Sequence, residues 1–555
     1  MLNKLCAFGV IAKEQSCALK RVKHFSRIRV YKRCVKACAY LEEFGSYPGR
    51  YARHVYNNLA VTRGRGTRSA NKMIDSCSLC RLCYEVCPTD LDWAEVAHDA
   101  RREMVRQDRM PASAFGFALE DLALATGDDS ALARHAPGTD TSDVVFFPGC
   151  QLAASDPEHL ERVYSHLRER YAPATGLLLY CCGAPADWAG RSEIYEETLT
   201  GLRERLDDLG ARKVVLACPT CETVFAARLP GVETVSLWEV LREVGPPEGA
   251  AGSGAGRRVA VHDACTARYQ ASVQAAVREL LAICDYEVEE LAYGRERTEC
   301  CGFGGLMLYA NPALGDVVAE RRVRESEADY VAYCAMCRDR YAARGKPTVH
   351  MLDLLFGDDF DTRARRRGPG LTQRAGRRAA LKRRLLVDVW GEAAPPGDAQ
   401  AALRMSLEVE DLLERRFVRP EEALAVITHG EETGRRFEES DTGHRLATLP
   451  IGSVTYWVEY EIEDGDYRVH TAYSHRMQAK PPPWPPAEEW EHDDGRVWRC
   501  ALGDHPLEAR SVTLTYLVAG FPVKLPACVD HGMVLITEAL ATGRMLEAEL
   551  ALEDK

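Results

Sequence analysis

No stretch of 18 or more apolar residues occurs in the chain, so no hydropathy-defined transmembrane helix is expected. Nor does a Gly-x-Gly-x-x-Gly turn join a strand to a helix, and there is no P-loop. Without those phosphate cradles, FAD or NAD is not expected on this chain. Positive charge is also in deficit: 71 Lys and Arg stand against 83 Asp and Glu, a net −12. That balance argues against binding nucleic acid by neutralising phosphates. The apolar run from Leu5 to Ala12 follows a single lysine and lacks a small-residue cleavage site before Lys13 and Glu14. A secretory signal is therefore not expected, and the reading is cytoplasmic.

Cysteine, by contrast, is plentiful, with 21 residues in 555. Such a number means a disulfide framework in a secreted chain and metal ligands in a reducing compartment, and spacing decides between them. The 46% apolar and 28% charged composition is that of a globular chain, and the length suggests about three or four domains.

The punctuation of the sequence divides it further. Residues 1–33 form a basic extension carrying Cys6 and Cys17, and 34–140 read as a small α-helical unit around a cysteine cluster. From 143 to 247, short β-rich runs (VVFF, LLLY, KVVLA) alternate with amphipathic helical stretches. This predicts an α/β module with a mostly parallel sheet. A Gly/Pro/Ala-rich stretch, 244–256, reads as a flexible linker, after which the pattern restarts over 257–360. Ten Lys or Arg and no acid lie between Arg363 and Arg384. The segment 361–403 is thus expected to be a basic linker with a solvated helix face, or else a dock for an acidic partner. Residues 404–480 read as α+β, with two strands around a Glu-Asp-Gly-Asp turn, and a PPPWPP spacer leads into a small β-rich tail, 488–555.

Cys77, Cys80, Cys83 and Cys87 lie in SCSLCRLCYEVCPTD, the Cys-x2-Cys-x2-Cys-x3-Cys-Pro spacing of a ferredoxin-type [4Fe-4S] site. In dicluster ferredoxins the fourth cysteine of each run serves the other cluster. Cys34 and Cys38 supply half of a second run, whose first two positions fall at Ile28 and Tyr31. On that pattern Cys38 completes the set of Cys77, Cys80 and Cys83, leaving Cys34 and Cys87 for a second site that either takes Cys6 and Cys17 from a distance or is absent.

Two modules repeat one arrangement of cysteines. The first has Cys150, then Cys181 and Cys182 before Gly183, then Cys218 and Cys221; the second has Cys265, then Cys300 and Cys301 before Gly302, then Cys334 and Cys337. Intervals of about 30 to 35 residues separate the groups, room for one helix and one strand each. Most of these cysteines stand at predicted strand ends, so parallel strands converge them on the carboxyl edge of the sheet. Glycines such as Gly183, Gly302, Gly304 and Gly305 permit close approach of the backbone to a bulky cluster. Zinc in one module and thiol-redox pairs remain open on spacing alone.

At these residues the sequence resembles the cysteine-rich-domain family of heterodisulfide reductase catalytic subunits, which also includes iron-sulfur subunits of glycolate and lactate oxidation systems. The likeness covers about residues 34–360. It implies that each five-cysteine set holds a noncubane [4Fe-4S] cluster, that electrons arrive through the ferredoxin-type site, and that a substrate disulfide is cleaved between the modules. The implied partners are a separate flavoprotein or another electron-donor subunit, and a small thiol/disulfide or other two-electron acceptor. A second reading is the electron-acceptor subunit of a flavin-dependent hydroxy-acid oxidase, with no substrate site of its own. The tail from Trp498 resembles a small redox or zinc-ribbon protein whose knuckles are eroded: Cys500 is followed by Gly503, and Cys528 by His531. A Cys2His2 site using His505 and His531 stays chemically allowed there.

Overall fold

The computed structural model describes residues 33–45, 50–51, 55, 59, 68–88, 91–357, 359–393, 403–438, 443–451, 454–463, 465–475, and the backbone of 511–518 and 521–528. The chain forms two compact units, Met1–Met477 and Gln478–Lys555.

Two open sheets dominate the first unit. In one, strands β1 (Leu132–Arg134), β2 (Val144–Phe147), β3 (Thr175–Leu179), β4 (Lys213–Leu216) and β5 (Glu233–Ser236) lie in the order β1-β3-β2-β4-β5. All neighbours are parallel except β1, which runs antiparallel to β3. In the other, β6 (Arg258–His262), β7 (Glu287–Glu290), β8 (Asp329–Ala332) and β9 (Thr348–His350) are fully parallel in the order β7-β6-β8-β9. Setting β1 aside, both sheets follow one sequence of strands, second-first-third-fourth. The first and third strands flank the switch point where such sheets place their ligands.

The central strands are continuous apolar runs, as strands covered by helices on both faces must be. Phe146, Phe147, Val215, Leu216, Val261 and Val331 are all buried. One core runs through both modules. The helix Leu237–Val244, started by a Ser236/Glu239 capping box, sends Trp238 into the second module. There it meets Tyr333 edge-on at 6.2 Å and His350 at 5.9 Å.

The Trp238 indole N–H is buried without an acceptor among the described residues. Trp238→Ala should therefore cost about 3–5 kcal/mol through the cavity left. Trp238→Phe should cost less than about 1.5 kcal/mol, because it deletes an unsatisfied donor while keeping most of the volume. Thermal unfolding of the anaerobic protein, followed by circular dichroism, ranks the two; equal losses would contradict this account.

Three expectations need correction. The sequence bounds the first module at 143, yet β1, within the segment read as mainly helical, extends its sheet. The stretch read as a flexible linker is tied down, with Gly252, Gly254 and Gly256 N–H groups donating to the carbonyls of Ile283, Cys284 and Asp285 at 3.0, 2.7 and 2.8 Å. The basic run is not a solvated linker either. It runs from the end of the helix Phe360–Arg365 through most of the helix Leu371–Asp388, in which Arg374 and Arg378 are buried. Arg374 donates to Asp339 at 2.7 Å and to Gln151 at 2.8 Å, and Arg378 pairs with Asp121. The run lacks acids because its counter-charges come from elsewhere in the fold.

Beyond it, the helices Leu407–Arg416 and Pro420–Thr433 cover a five-stranded sheet of β10 (Leu403–Arg404), β11 (Arg436–Glu438), β12 (Arg445–Ile451), β13 (Val454–Glu463) and β14 (Asp466–His475). In the second unit, β15 (Ser511–Val518) pairs antiparallel with β16 (Phe521–Cys528). Among the described residues no helix is long and apolar enough to cross a membrane.

Candidate iron-sulfur centres

Each cysteine group of the first module follows the carboxyl end of one strand: Cys150 after β2, Cys181 and Cys182 after β3, and Cys218 after β4, with Cys221 in the first turn of the helix Pro219–Arg228. The sulfurs converge. Cys150 Sγ lies 3.4 Å from Cys181 Sγ, and Cys182 interacts with Cys181 and Cys221, and Cys221 with Cys218. Hydrogen bonds from Cys181 and Cys221 push the Cys182 thiol down to about 6, whereas its hydrogen bonds and burial hold Cys221 well above the ordinary thiol value.

The second module repeats the arrangement. Cys300 interacts with Cys265 and Cys301, and Cys337 with Cys301 and Cys334. The neighbouring thiols, with the Gly302 N–H donating to Cys300 Sγ at 3.3 Å, hold Cys300 well below its usual value. Five sulfurs gathered this closely at a strand-end loop are a soft, anionic donor set, which fits an iron-sulfur core.

The helical segment supplies a third group. Cys38 interacts with Cys80, Cys83 and Cys77, and Cys34 with Cys87. The structure thus groups Cys38 with the first three cysteines of the ferredoxin-type run, and Cys34 with the fourth. Leu79 and Arg81 adopt left-handed φ of 54° and 64°, strained backbone that bends the run around its sulfurs. Cys6, Cys17, Ile28 and Tyr31 lie outside the described residues, as do Cys500, Gly503, His505 and His531. Cys528 is described only as the backbone end of β16, opposite Ser511.

Contacts between the groups give the site its plan. Cys80 of the ferredoxin-type run feels the charge of Cys300 in the second module. Gly304 is wedged between them: a Cβ there would sit 2.9 Å from both Cys300 Sγ and the Ser78 carbonyl. Buried Arg268 then fixes the contact. Its Nη2 donates to the Cys80 carbonyl at 2.9 Å and to the Thr298 carbonyl at 2.6 Å.

The two modules meet at their cysteine loops. Thr220, between Cys218 and Cys221, lies with its hydroxyl 3.2 Å from that of Thr266, next to Cys265. Trp188, six residues after Cys182, meets Phe303, two residues after Cys301, edge-on at 6.3 Å. None of Arg268, Thr220, Thr266, Trp188 or Phe303 carries a sequence signal of its own; only adjacency to the cysteine groups marks the threonines and Phe303. His262 and His350 are buried structural groups: His262 lies against Tyr341 and Arg322, and His350 caps the helix Met351–Phe356.

Known families match these segments of the chain. A 4Fe-4S dicluster domain matches residues 30–92, a cysteine-rich domain matches twice, over 144–226 and 259–339, and a domain of unknown function matches 496–555. The fold and site therefore define an iron-sulfur electron-transfer protein of the oxidoreductase class. Its relatives include heterodisulfide reductase subunits and related iron-sulfur proteins. A subunit of the CoM/CoB fumarate reductase of Methanothermobacter marburgensis is 22% identical over 395 residues, 64% of this chain and 79% of that protein. A subunit of the dihydromethanophenazine:CoB–CoM heterodisulfide reductase of Methanosarcina barkeri is 24% identical over 352 residues, 55% of this chain and 85% of that one. An EtfAB:quinone oxidoreductase of Syntrophomonas wolfei is 22% identical over 287 residues, 47% of this chain and 40% of its own.

Proposed function

We propose that this chain is the disulfide-reducing component of a heterodisulfide-reductase-like complex, receiving electrons from a separate donor protein at the dicluster domain. Cys38, Cys77, Cys80 and Cys83 hold one [4Fe-4S] cluster, and each five-cysteine set holds a noncubane one. Clusters bound there supply one-electron transfer. The protein's own contribution is placement, and the observation that carries the reading is the shared boundary. Cys80 adjoins Cys300, and the two five-cysteine sets meet where Thr220 lies against Thr266. A single electron-receiving module would need no such apposition, whereas a disulfide has two sulfurs to be separated. The balanced change is one disulfide, two electrons from the donor and two protons giving two thiols.

Electron paramagnetic resonance of the anaerobic, oxidised full chain, incubated with candidate small thiols, tests this. A new signal that depends on the thiol is expected. If no thiol from a broad panel produces one, while iron and sulfide match three clusters, disulfide chemistry is wrong, and the hydroxy-acid-oxidase acceptor reading takes its place.

A further inference from the structure

Far along the chain from the cysteine sites, the C-terminal sheet of the first unit turns a group of metal-ligating side chains outward. Its inner face is fixed by buried Ala447, Val458, Tyr460, Val469 and Ala472. Ala447 pairs with Val458, and Val458 with Ala472, while Tyr460 pairs with Val469, the register slipping between Glu459 and Tyr460. Counting back from Ala472 by strict alternation, His470 would point into the core. The slip is a β-bulge, and such bulges re-aim side chains. Here it frees His470 to lie outside, across from Glu459 and Glu461.

His444, just ahead of β12, completes the group. Its ring stacks on that of His470 with centroids 4.0 Å apart and planes 15° from parallel. His444 Nδ1 is 2.8 Å from Glu459 Oε1, and His470 Nε2 is 3.2 Å from Glu461 Oε1. One ligand atom each from His444, Glu461 and His470 lie within 4.8 Å of one another. In a tetrahedral zinc shell the donors stand about 3.3–3.6 Å apart, given Zn–N and Zn–O bonds of about 2.0–2.2 Å. Furthermore, His470 Nε2 is shielded from solvent yet has no properly oriented hydrogen bond among the described residues. In the neutral tautomer that carries its proton on Nδ1, this nitrogen offers a lone pair toward the same point as the Glu461 carboxylate.

We infer that His444, His470 and Glu461 form a site for a divalent cation of borderline softness, with Glu459 or water as the fourth ligand. Two imidazoles and a carboxylate suit Zn2+ better than Mg2+ or Ca2+, which prefer all-oxygen shells. A plain cross-strand ion-pair cluster is the competing account, and Arg468, 3.8 Å from Glu461 Oε1, is its best counter-ion. That account explains the carboxylates. It does not explain a bulge that brings two imidazoles into contact.

Equilibrium dialysis of the untagged, anaerobic full chain against Zn2+, after chelator treatment that leaves the iron in place, tests the site. Wild-type protein should bind one zinc more per chain than His444→Gln/His470→Gln, with iron content equal in the two. Glu461→Gln, which keeps both rings, should weaken that zinc at least tenfold. Equal zinc binding by wild type and the double variant overturns the site. Should the double variant lose iron, Glu461→Gln decides, and unchanged affinity there overturns the proposal equally. Because the readout is zinc at a surface remote in sequence from the cysteines, its failure leaves the disulfide reading untouched.

Discussion

Cys301→Ser is expected to lower the iron content by about four atoms per chain, the complement of one [4Fe-4S] cluster, while the ferredoxin-type signal persists. The choice of residue follows from the contacts. Cys265 and Cys300 both feel the charge of Cys80, so a change at either would disturb two sites together. Cys301 is buried between Cys300 and Cys337 instead, inside the second module's own set. Serine keeps the size but replaces a soft thiolate by a hard, weakly acidic hydroxyl, a poor ligand for iron in a sulfur shell. Disulfide reduction should fall by roughly a hundredfold or more, since losing even a group that only orients a metal ligand costs about 10–100-fold. Iron and zinc analysis, EPR of the reduced protein and a disulfide-reduction assay check the three points in turn. Iron content equal to wild type would refute the ligand assignment, and a loss of zinc instead would show that the second module is a zinc site.

How far these sites were legible depends on where the information sits. VVFF, KVVLA and DYVA could be read as strands because strands covered on both faces are apolar throughout. The cysteines at their ends then fell into place. β7, with the sequence EVEE, gave no such cue: it is a half-exposed edge strand whose Glu289 and Glu290 pair with Arg258 and Arg278. The basic helix was misread for a related reason. The acids that neutralise it, Asp121 and Asp339, are 257 and 35 residues from Arg378 and Arg374, beyond any window in which charge pattern is counted. The glycine-rich stretch at 244–256 looked flexible by composition, but composition does not reveal that its amides meet the carbonyls of 283–285. The bulge at Glu459 and Tyr460 was equally hidden, because it is a mismatch between two strands and belongs to neither alone. Local spacing thus reported the donors, while their distances from one another were set by contacts between segments far apart in sequence.

Arg101→Ala is expected to be the most disruptive change outside the cysteines. The guanidinium of Arg101 is buried and donates to five main-chain carbonyls: Ile74 at 3.2 Å, Asp75 at 2.8 Å, Cys77 at 2.6 Å, Trp188 at 2.8 Å and Gly305 at 2.8 Å. Those carbonyls belong to the ferredoxin-type segment, the first module and the second module, so one side chain joins all three. Each buried carbonyl left unsatisfied costs about 1–3 kcal/mol. Two or three of them would consume much of the roughly 5–15 kcal/mol that holds a domain together. Burial draws the guanidinium pKa down, but the charges of Cys77 and Asp75 oppose this, and desolvation in turn holds Asp75 at about 7. A buried cation beside Cys77 also offsets the negative charge of a thiolate-bound cluster, so its removal should make reduction harder there. Arg101→Lys carries three donors on one nitrogen and cannot span carbonyls held in a fixed fork. It should keep part of the iron and show a ferredoxin-type site reduced at the same or a more negative potential. The expected order is wild type, then lysine, then alanine, in iron content, in resistance to limited proteolysis, and in the signal of the reduced ferredoxin-type site. An alanine variant with full iron and wild-type protease resistance would show that the three segments hold together without this residue.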